Sequence, residues 1–546
     1  MAIRIRYPLL WIALGGTLLF LPFLGQVHLF DWDEANFAEA AREMLVTGDW
    51  LTVQINYEPF WEKPPFFIWL QALSMKTFGV NEFAARFPNA ICGIVTLCLL
   101  FLAGKKLSDE TTGWLWVLAY AGSILPFFYF KSGIIDPWFN LFMFLGVWFI
   151  FRSEEKENCL KFLFFAGLFT GLAVLTKGPV GLLIVLLTWF VILLLKKFRD
   201  FPSLKGILLF TGAFVIAGGL WFLIEIISGK SYVIMDFIRY QIRLLTTRDA
   251  GHGGPFFYHF AVVLFGCFPA SVIALRSFGR MAGPEPGEAG FRRWMIVLLL
   301  VVLLLFSFVR TKIVHYSSLS YFPVTFLAAL AIRSWLRKGI RPPKRIIRFT
   351  AILGTIIALA LIALPLLMMN KDRLIESGMV TGMQTPGLLQ AEAGWTGFDT
   401  IPGILLLAGM IIFTVLARRK MATGALMLFG STVIAVFLAM VLIAPRVEHH
   451  VQRAAIEFYK QHDEGKSYVQ PLGFKSYAYL FYTKKPVPAD ERHNEKEWLF
   501  YGDTGKPVYF VIRQKEAAQH EGWFPHFNKL YEKNGFVFYK RGKLPE

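Results

Sequence analysis

The chain has 546 residues, of which 55% are hydrophobic and only 17% are charged. Charged residues make up roughly a quarter of a typical soluble chain, so this composition excludes an ordinary soluble protein and indicates a polytopic membrane protein. The net charge of +18 would suit a nucleic-acid partner, but most Lys and Arg residues lie in short loops between apolar segments, as the positive-inside bias predicts.

Apolar runs of roughly 17–25 residues are long enough to cross a bilayer as helices. About thirteen such spans are predicted, at residues 7–27, 83–104, 112–130, 134–151, 160–176, 178–195, 206–227, 257–276, 294–310, 315–333, 346–368, 400–418 and 423–444. Basic loops follow alternate spans, the longest being RSWLRKGIRPPKRIIR at 333–348. With these loops in the cytoplasm, residues 28–82, 228–256, 369–399 and the C-terminal tail lie on the outer side.

The first outer loop, residues 28–82, is too polar to be a span and contains two predicted helices. Residues 34–46 predict an amphipathic helix, for which Asp31 is the expected N-terminal cap. Residues 64–78 start on a proline, end at Gly79 and are short for a span. We therefore expect both helices to lie at the membrane interface and to frame the loop between them.

This loop carries a cluster of charged residues. Asp33 and Glu34 are the predicted catalytic pair, although either could simply cap the first helix. In the catalytic alternative, Asp33 is a general base that deprotonates an acceptor hydroxyl. Glu62 and Lys63 are either a solvated ion pair or a site in which Lys63 holds a lipid phosphate. Carboxylates clustered at a membrane face are energetically costly, which favours a functional role for them over a purely structural one.

Polar residues at the ends of later spans are predicted on the same outer side. A lone Lys there is usually a snorkelling anchor, but basic residues on this side oppose the positive-inside bias. They would bind an anionic headgroup such as a polyprenyl phosphate. The candidates for this phosphate are Arg248, Lys312 and Tyr316, and those for the rest of the pocket are Lys131, Asp136 and Lys177. His252 and Glu62 could be two ligands of a zinc ion, but two ligands do not complete its coordination shell.

After residue 444 the apolar spans cease and charged residues return. Residues 1–444 therefore form the predicted transmembrane domain and residues 445–546 a small soluble α/β domain. VEHHVQRAAIEFYKQ predicts a helix, PVYFVIR and FVFYKR predict strands, and SYAYLFY is compatible with either. This domain carries no catalytic motif, and a role as a lid or in acceptor docking is a hypothesis.

Several of these motifs resemble one family. DEANFAEAAREMLVTGDWL, EKPP, Asp136-Pro137, TKGP at 176–179 and the Lys312-x-x-x-Tyr316 spacing are similar to membrane glycosyltransferases of the GT-C class. Within that class the chain resembles the bacterial lipid A aminoarabinose transferases, which are related to protein O-mannosyltransferases. The resemblance implies an α-helical polytopic GT-C fold with a periplasmic C-terminal domain in the bacterial inner membrane. It also implies inverting transfer of a sugar from a polyprenyl (undecaprenyl) phosphate at the periplasmic face.

The resemblance also implies roles for individual residues. Asp33 matches the catalytic aspartate of the first loop. Glu62 and Lys63 match a pair whose Lys meets the lipid phosphate and whose Glu is a candidate zinc ligand. His252 resembles the histidine that partners that glutamate, and Tyr316 matches a tyrosine near the donor phosphate. The implied reaction is either metal-independent or assisted by zinc, and it needs no nucleotide cofactor.

The chain departs from the aminoarabinose transferases in two motifs. These typically contain D-E-x-R-Y and Y-x-E-K-P, whereas Asn36, Phe37 and Phe60 here replace the arginine and both tyrosines. The missing arginine argues against an anionic lipid A acceptor in particular and leaves both the sugar and the acceptor open. The acceptor could be lipid A, another envelope glycolipid or a protein hydroxyl. A transporter or flippase of lipid-linked sugars is the alternative of a different class. It would not need clustered carboxylates in its first loop.

Overall fold

The structure is a computed structural model that describes residues 6–155, 159–246, 253–279, 286–378, 384–462, 465–519 and 526–542. The first loop and its flanking helices contain α1 (Pro8–Phe20), α2 (Asp33–Thr47), β1 (Gln54–Ile55), β2 (Glu58–Pro59), α3 (Phe66–Phe78) and α4 (Glu82–Leu107). The following helices are α5 (Glu110–Ala121), α6 (Ile124–Tyr129), α7 (Asp136–Ser153), α8 (Cys159–Lys177), α9 (Val180–Leu195), α10 (Leu204–Phe214), α11 (Leu220–Ile227) and α12 (Ser231–Thr246). The fold is thus built mostly from helices.

The second half of the helical region continues in the same way. It contains α13 (Tyr258–Gly266), α14 (Ala270–Ala274), α15 (Pro286–Phe308), α16 (Tyr321–Lys338), α17 (Lys344–Met369), α18 (Lys371–Glu376), α19 (Gln384–Leu389), α20 (Ile401–Leu416), α21 (Met421–Leu438) and α22 (Ala444–Val451). A π-helical turn joins α21 to α22 into one continuous helix. The predicted end of the last span at residue 444 therefore lies inside this helix.

In the described part of the chain, eight helices are long and apolar enough to cross a membrane. The pair formed by α13 and α14 is a further candidate, bent by 109° at its break. Two shorter apolar helices, α1 and α9, occupy other predicted spans. The composition therefore predicted the polytopic helical class correctly.

The first loop folds differently from the predicted pair of interfacial helices. Both helices form, but α2 packs against α3 and the C-terminal part of the chain, and its polar residues are buried. Glu39 and Glu43 are fully buried and Arg42 is 4% exposed. The Arg42 guanidinium binds Glu39 at 2.7 Å and donates to the Lys485 carbonyl at 2.8 Å. The polar face of α2 is thus covered by protein instead of by lipid headgroups.

The predicted cap of α2 is also wrong. Trp32 precedes the helix, and no side chain in the described residues caps it. The Asp31 carboxylate instead accepts a hydrogen bond from the Tyr477 N–H at 3.4 Å. Asp31 therefore joins the first loop to the C-terminal part of the chain.

The C-terminal segment, residues 452–542, contains a four-stranded sheet. Its elements are α23 (Arg453–Gln461), β3 (Tyr468–Leu472), α24 (Ala478–Tyr482), α25 (Lys496–Tyr501), β4 (Val508–Arg513), α26 (Gln514–Gln519), β5 (Phe527–Lys533) and β6 (Phe536–Arg541). The strand order is β3-β4-β6-β5, with β3 parallel to β4 and the other pairs antiparallel. β4 and β6 lie at the two predicted strands, and SYAYLFY contains helix α24.

The C-terminal segment and the first loop share one hydrophobic core. Apolar side chains of α2, α3, α23, α24, β4 and β6 pack together in it. Two polar contacts fix the start of the loop: the Tyr482 hydroxyl accepts from the Leu29 N–H at 2.7 Å, and the Gln452 amide donates to the Leu29 carbonyl at 2.9 Å. The segment that carries Asp33 is therefore held by residues more than 400 positions away in sequence.

Candidate active site

A cavity of about 550 Å³ lies where the first loop meets the ends of α7 and α8 and the 3₁₀ turn Val314–Ser320. This volume is within the range of small-ligand sites. Its charged and titratable lining residues include Asp31, Asp33, Glu34, Glu62, Lys63, Asp136, Lys177 and His315. Phenylalanine and aliphatic side chains form much of the remaining wall. The cavity thus combines an apolar wall with a cluster of charges.

Asp33 is the first residue of α2, and its carboxylate points into this cavity. Its Oδ2 lies 3.6 Å from Nε2 of His315, and about a third of its side chain is exposed (31%). Among the described residues, no group donates a hydrogen bond to this carboxylate. Asp33 is therefore available to bind or deprotonate a ligand, with His315 beside it.

Glu34 is not available in this way, although it was predicted to be catalytic and also lines the cavity. Its carboxylate accepts two hydrogen bonds from Arg86, at 2.9 and 2.7 Å, and one each from the N–H groups of Phe30 and Gly133. Burial alone would raise the pKa of Glu34, but Arg86 and the two N–H donors together outweigh burial, so the pKa lies below its ordinary value. Glu34 is an ionised structural residue that fixes the start of α2.

We expect an Arg86→Leu substitution to lower the free energy of unfolding by about 3–5 kcal/mol, because it leaves the Glu34 carboxylate buried without its charge partner. Denaturant unfolding of the purified protein in mixed micelles measures the change. The matched control is Lys105→Leu, which removes an exposed pair with Glu110 (side chains 50% and 33% exposed) and should cost less than about 1 kcal/mol. Equal stability of the two variants would contradict the assignment of Glu34 and Arg86 as a buried structural ion pair.

The cavity contains two lysines in different environments. The Lys177 Nζ binds Asp136 Oδ1 at 2.6 Å and lies 5.4 Å from the ring centroid of Tyr316. The half-buried Lys63 Nζ lies 5.2 Å from the ring centroid of Tyr240. Within the described residues, no carboxylate lies at ion-pair distance from Lys63. Lys63 therefore presents an unneutralised ammonium group to the cavity.

Two predicted pocket lysines lie elsewhere. The Lys131 Nζ donates to main-chain carbonyls just at the end of α1, at 3.2 and 2.5 Å. The Lys312 Nζ donates to two carbonyls of the last turn of α15, at 2.8 and 2.7 Å. Both ammonium groups satisfy carbonyls at helix C-termini, where a cation is favoured. Neither residue lines the cavity. Arg248 and His252 lie outside the described residues.

Three cavity residues were not predicted to be part of the site. His315 lies three residues after Lys312 in the segment VRTKIVHYSS. Tyr240 belongs to the amphipathic helix α12, within the predicted outer loop 228–256. Asn36 occupies the position of the arginine in the family motif. Arg86, the partner of Glu34, could have been identified from the sequence, because it is a charged residue at the start of an apolar span.

The predicted zinc ligands are Glu62 and His252, and only Glu62 belongs to the described residues. Glu62 lines the cavity. In the part of the chain that the structure describes, no group of three or more His, Cys, Asp or Glu side chains forms a metal site. The zinc prediction therefore stays a prediction.

The sequence is similar to membrane glycosyltransferases. Residues 62–221 match the family described as dolichyl-phosphate-mannose-protein mannosyltransferase. The undecaprenyl phosphate-alpha-4-amino-4-deoxy-L-arabinose arabinosyl transferase of Wigglesworthia glossinidia brevipalpis is 25% identical over 66% of this chain and 64% of its own length. The enzyme of the same name from Pectobacterium atrosepticum is 26% identical over 77% of this chain and 72% of its own. The chain thus spans about two thirds of these relatives.

The fold is similar to that of two solved membrane proteins. ArnT from Cupriavidus metallidurans, crystallised with undecaprenyl phosphate, matches with a TM-score of 0.76 at 18% identity over 97% of both chains. The oligosaccharyltransferase of Archaeoglobus fulgidus matches with a TM-score of 0.51 at 12% identity, over 95% of this chain and 71% of that one. The predicted resemblance to GT-C transferases, and to aminoarabinose transferases among them, is confirmed.

Proposed function

We propose that this chain is a glycosyltransferase of the bacterial inner membrane. It moves a sugar from an undecaprenyl-phosphate carrier to an acceptor at the periplasmic face, such as lipid A or another envelope glycolipid. The observation that carries the proposal is that the Lys63 ammonium group and the Asp33 carboxylate face the same cavity. Among the described residues, no carboxylate lies at ion-pair distance from Lys63, and Asp33 has only His315 beside it, at 3.6 Å. Transfer from a phosphate-linked sugar can use both groups, the ammonium to bind the phosphate and the carboxylate to position or deprotonate the acceptor oxygen. The relatives' names and the ligand of the ArnT crystal support the same carrier.

The proposed topology has thirteen membrane crossings in residues 1–444, with the first loop and residues 445–546 in the periplasm. In this arrangement the spans beyond the eight longer helices are α1, α9, the bent α13–α14 pair, α7 and the α5–α6 pair. The basic residues of alternate loops support this orientation, because they then all face the cytoplasm. The C-terminal segment would cover the first loop from the periplasmic side.

The proposed reaction is a single displacement. Lys63 binds the donor phosphate, with the Lys177–Asp136 pair and Tyr316 beside it, and the apolar wall receives the start of the lipid chain. The acceptor oxygen forms a bond to the anomeric carbon while the bond from that carbon to the phosphate oxygen breaks, and the configuration inverts. A hydroxyl acceptor gives its proton to Asp33, and undecaprenyl phosphate leaves. If the acceptor is itself a phosphate, Asp33 only positions it.

His315 and Lys63 would support this step in different ways. His315, whose Nε2 lies 3.6 Å from Asp33 Oδ2, would orient the carboxylate. Lys63 offsets the negative charge that develops on the leaving phosphate, and preorganised charges of this kind typically contribute about 10²–10³ in rate. Glu34 and Arg86 hold the start of α2, so the position of Asp33 is set before the donor binds.

A second candidate acceptor is a protein hydroxyl. The match of residues 62–221 to a protein mannosyltransferase family favours it. The same cavity would serve both reactions, since the donor side is shared. The acceptor would then be a Ser or Thr side chain, for which Asp33 acts as the base.

The test is mass spectrometry of lipid A, glycolipids and envelope proteins from cells with and without the gene, followed by transfer with the purified protein. We expect one lipid or glycolipid fraction to lose the mass of a sugar when the gene is deleted. Modified protein in place of modified lipid would favour the second candidate. Unchanged envelope components, together with transport of the intact lipid-linked sugar by proteoliposomes, would exclude both and indicate a flippase.

Zinc at Glu62 and His252 is a further part of the proposal. Zinc takes four ligands in most protein sites, and only one of these two residues is described, so no step of the reaction is assigned to the metal. We expect the purified protein to contain about one zinc per chain, and Glu62→Gln to reduce that content. Elemental analysis measures it. A purified protein without zinc, or a zinc content that Glu62→Gln leaves unchanged, would contradict this part alone.

A further inference from the structure

Among the described residues, the buried Asn36 side chain makes no hydrogen bond. It lies one helical turn after Asp33 on α2, so the two side chains share a face of the helix. Asn36 lines the cavity and is 4% exposed. Its Oδ1 is fully buried and accepts no hydrogen bond, and within the described residues its amide nitrogen donates none. The amide is therefore removed from bulk water without a replacement partner from the protein.

Buried amides of this kind are unusual because desolvation without a hydrogen bond is unfavourable. Other buried asparagines near the cavity are bonded. The Asn89 amide nitrogen donates to the carbonyls of Ser132 and Ile134, both at 2.6 Å, and the Asn140 nitrogen donates to the Ser318 hydroxyl at 2.7 Å. The Asn89 Oδ1, like that of Asn36, is buried without a hydrogen bond. Asn36 thus differs from these neighbours in that, among the described residues, its amide nitrogen makes no hydrogen bond either.

We propose that Asn36 binds the transferred sugar and determines part of the sugar specificity. This proposal rests on the function proposed above. An amide is planar and carries both a donor and an acceptor, which matches two adjacent polar groups on a sugar ring. Because it has no charge, it does not compete with Lys63 for the phosphate.

The position of Asn36 relative to Asp33 indicates that Asn36 contacts the donor sugar and not the acceptor. The Asp33 side chain is 31% exposed, so an acceptor can approach it from outside, whereas Asn36 lies deeper and is 4% exposed. Before the acceptor arrives, the sugar on the carrier is already enclosed in the cavity. When the anomeric carbon of this sugar lies near Asp33, polar groups on the sugar ring are within reach of the Asn36 side chain, one helical turn away.

The experiment compares two lipids on the purified full-length protein in detergent: undecaprenyl phosphate, and undecaprenyl phosphate carrying 4-amino-4-deoxy-L-arabinose. We expect the wild type to bind the sugar-bearing lipid more tightly. Asn36→Leu should reduce that affinity about three- to tenfold and leave the affinity for undecaprenyl phosphate unchanged. An affinity for the sugar-bearing lipid that Asn36→Leu leaves unchanged, or a parallel loss for both lipids, would overturn the proposal.

Thermal unfolding separates binding from a structural role. Leucine has a similar size, and removing an unpaired buried amide should leave the melting temperature of Asn36→Leu equal to or above that of the wild type. The matched control is Asn89→Leu, which removes two hydrogen bonds and should melt at a lower temperature. A lower melting temperature for Asn36→Leu would assign Asn36 to the fold instead of the sugar.

Failure of this proposal can be told apart from failure of the proposed function. A wild-type protein that binds neither lipid contradicts the carrier and hence the function itself. A wild-type protein that binds undecaprenyl phosphate through Lys63, but the sugar-bearing lipid no more tightly, leaves the function standing and overturns only the role of Asn36.

Discussion

Replacing Asp33 by Asn will lower the rate of sugar transfer by about 10²–10⁴-fold, the usual contribution of a positioned general base. The carboxylate is the only feature lost, because Asn has nearly the same size. The Asp33 carboxylate interacts electrostatically with the Lys63 ammonium group. Because the substitution removes this negative charge, the affinity of Lys63 for the carrier phosphate should stay the same or rise. Loss of rate with retained binding is the combination expected of a residue that acts on the acceptor.

Single-turnover transfer with saturating donor, together with equilibrium binding of undecaprenyl phosphate, measures both effects. The matched control is Asp49→Asn in the same loop. Asp49 accepts hydrogen bonds from the N–H groups of Leu51 and Thr52 and does not line the cavity. We expect the control to keep transfer near the wild-type rate. If Asp33→Asn transfers sugar as fast as the control, Asp33 is not the base.

The helical class and several members of the site could be predicted because they depend on local patterns. Long apolar runs form helices in a bilayer whatever packs against them. Asp33, the Glu62–Lys63 pair and the later Asp136, Lys177 and Tyr316 were predicted on the same side of the membrane. The structure brings all six to one cavity. Charge, topology and the family motifs together indicated these residues.

The roles of Glu34 and Lys312 could not be predicted, because they depend on partners that only the folded chain supplies. Glu34 is adjacent to Asp33 in the same motif, but its carboxylate is taken by Arg86, 52 residues away. Lys312 belongs to a motif that matches the family, but its ammonium group satisfies the end of α15. A motif gives residue types at a spacing, whereas the direction of each side chain follows from packing.

The burial of the polar face of α2 was missed for the same reason. The pattern of Glu39, Arg42 and Glu43 is that of a solvated helix face. In the structure Glu43 accepts hydrogen bonds from both N–H groups of the β1–β2 turn, and Arg42 reaches the Lys485 carbonyl. Burial and the neighbouring Glu39 raise the pKa of Glu43 to about 9. These contacts join α2, the hairpin that precedes Glu62 and Lys63, and the C-terminal segment into one support for the site.

Replacing Lys63 by Met will weaken the binding of undecaprenyl phosphate by about 10- to 100-fold, the typical effect of losing a hydrogen bond between charged groups. The loss should be large because Lys63 is the cavity lysine whose charge no carboxylate in the described residues neutralises. The matched control is Lys312→Met, which removes an ammonium group that lies outside the cavity. Equal affinities for the two variants would remove Lys63 from the phosphate site.

The pH dependence of carrier binding tests the same residue without removing it. Burial lowers the pKa of Lys63 below its ordinary value, although Glu62 and Asp33 oppose this effect. The ammonium form exists below the pKa, so affinity is full at neutral pH and falls as the pH rises through this lowered pKa, earlier than for an exposed lysine. The carrier phosphate stays anionic throughout that range, so its charge does not cause the fall. Lys63→Arg should keep its affinity at alkaline pH, because a guanidinium stays protonated to above about pH 12. An identical alkaline fall in Lys63→Arg would assign the titration to another group.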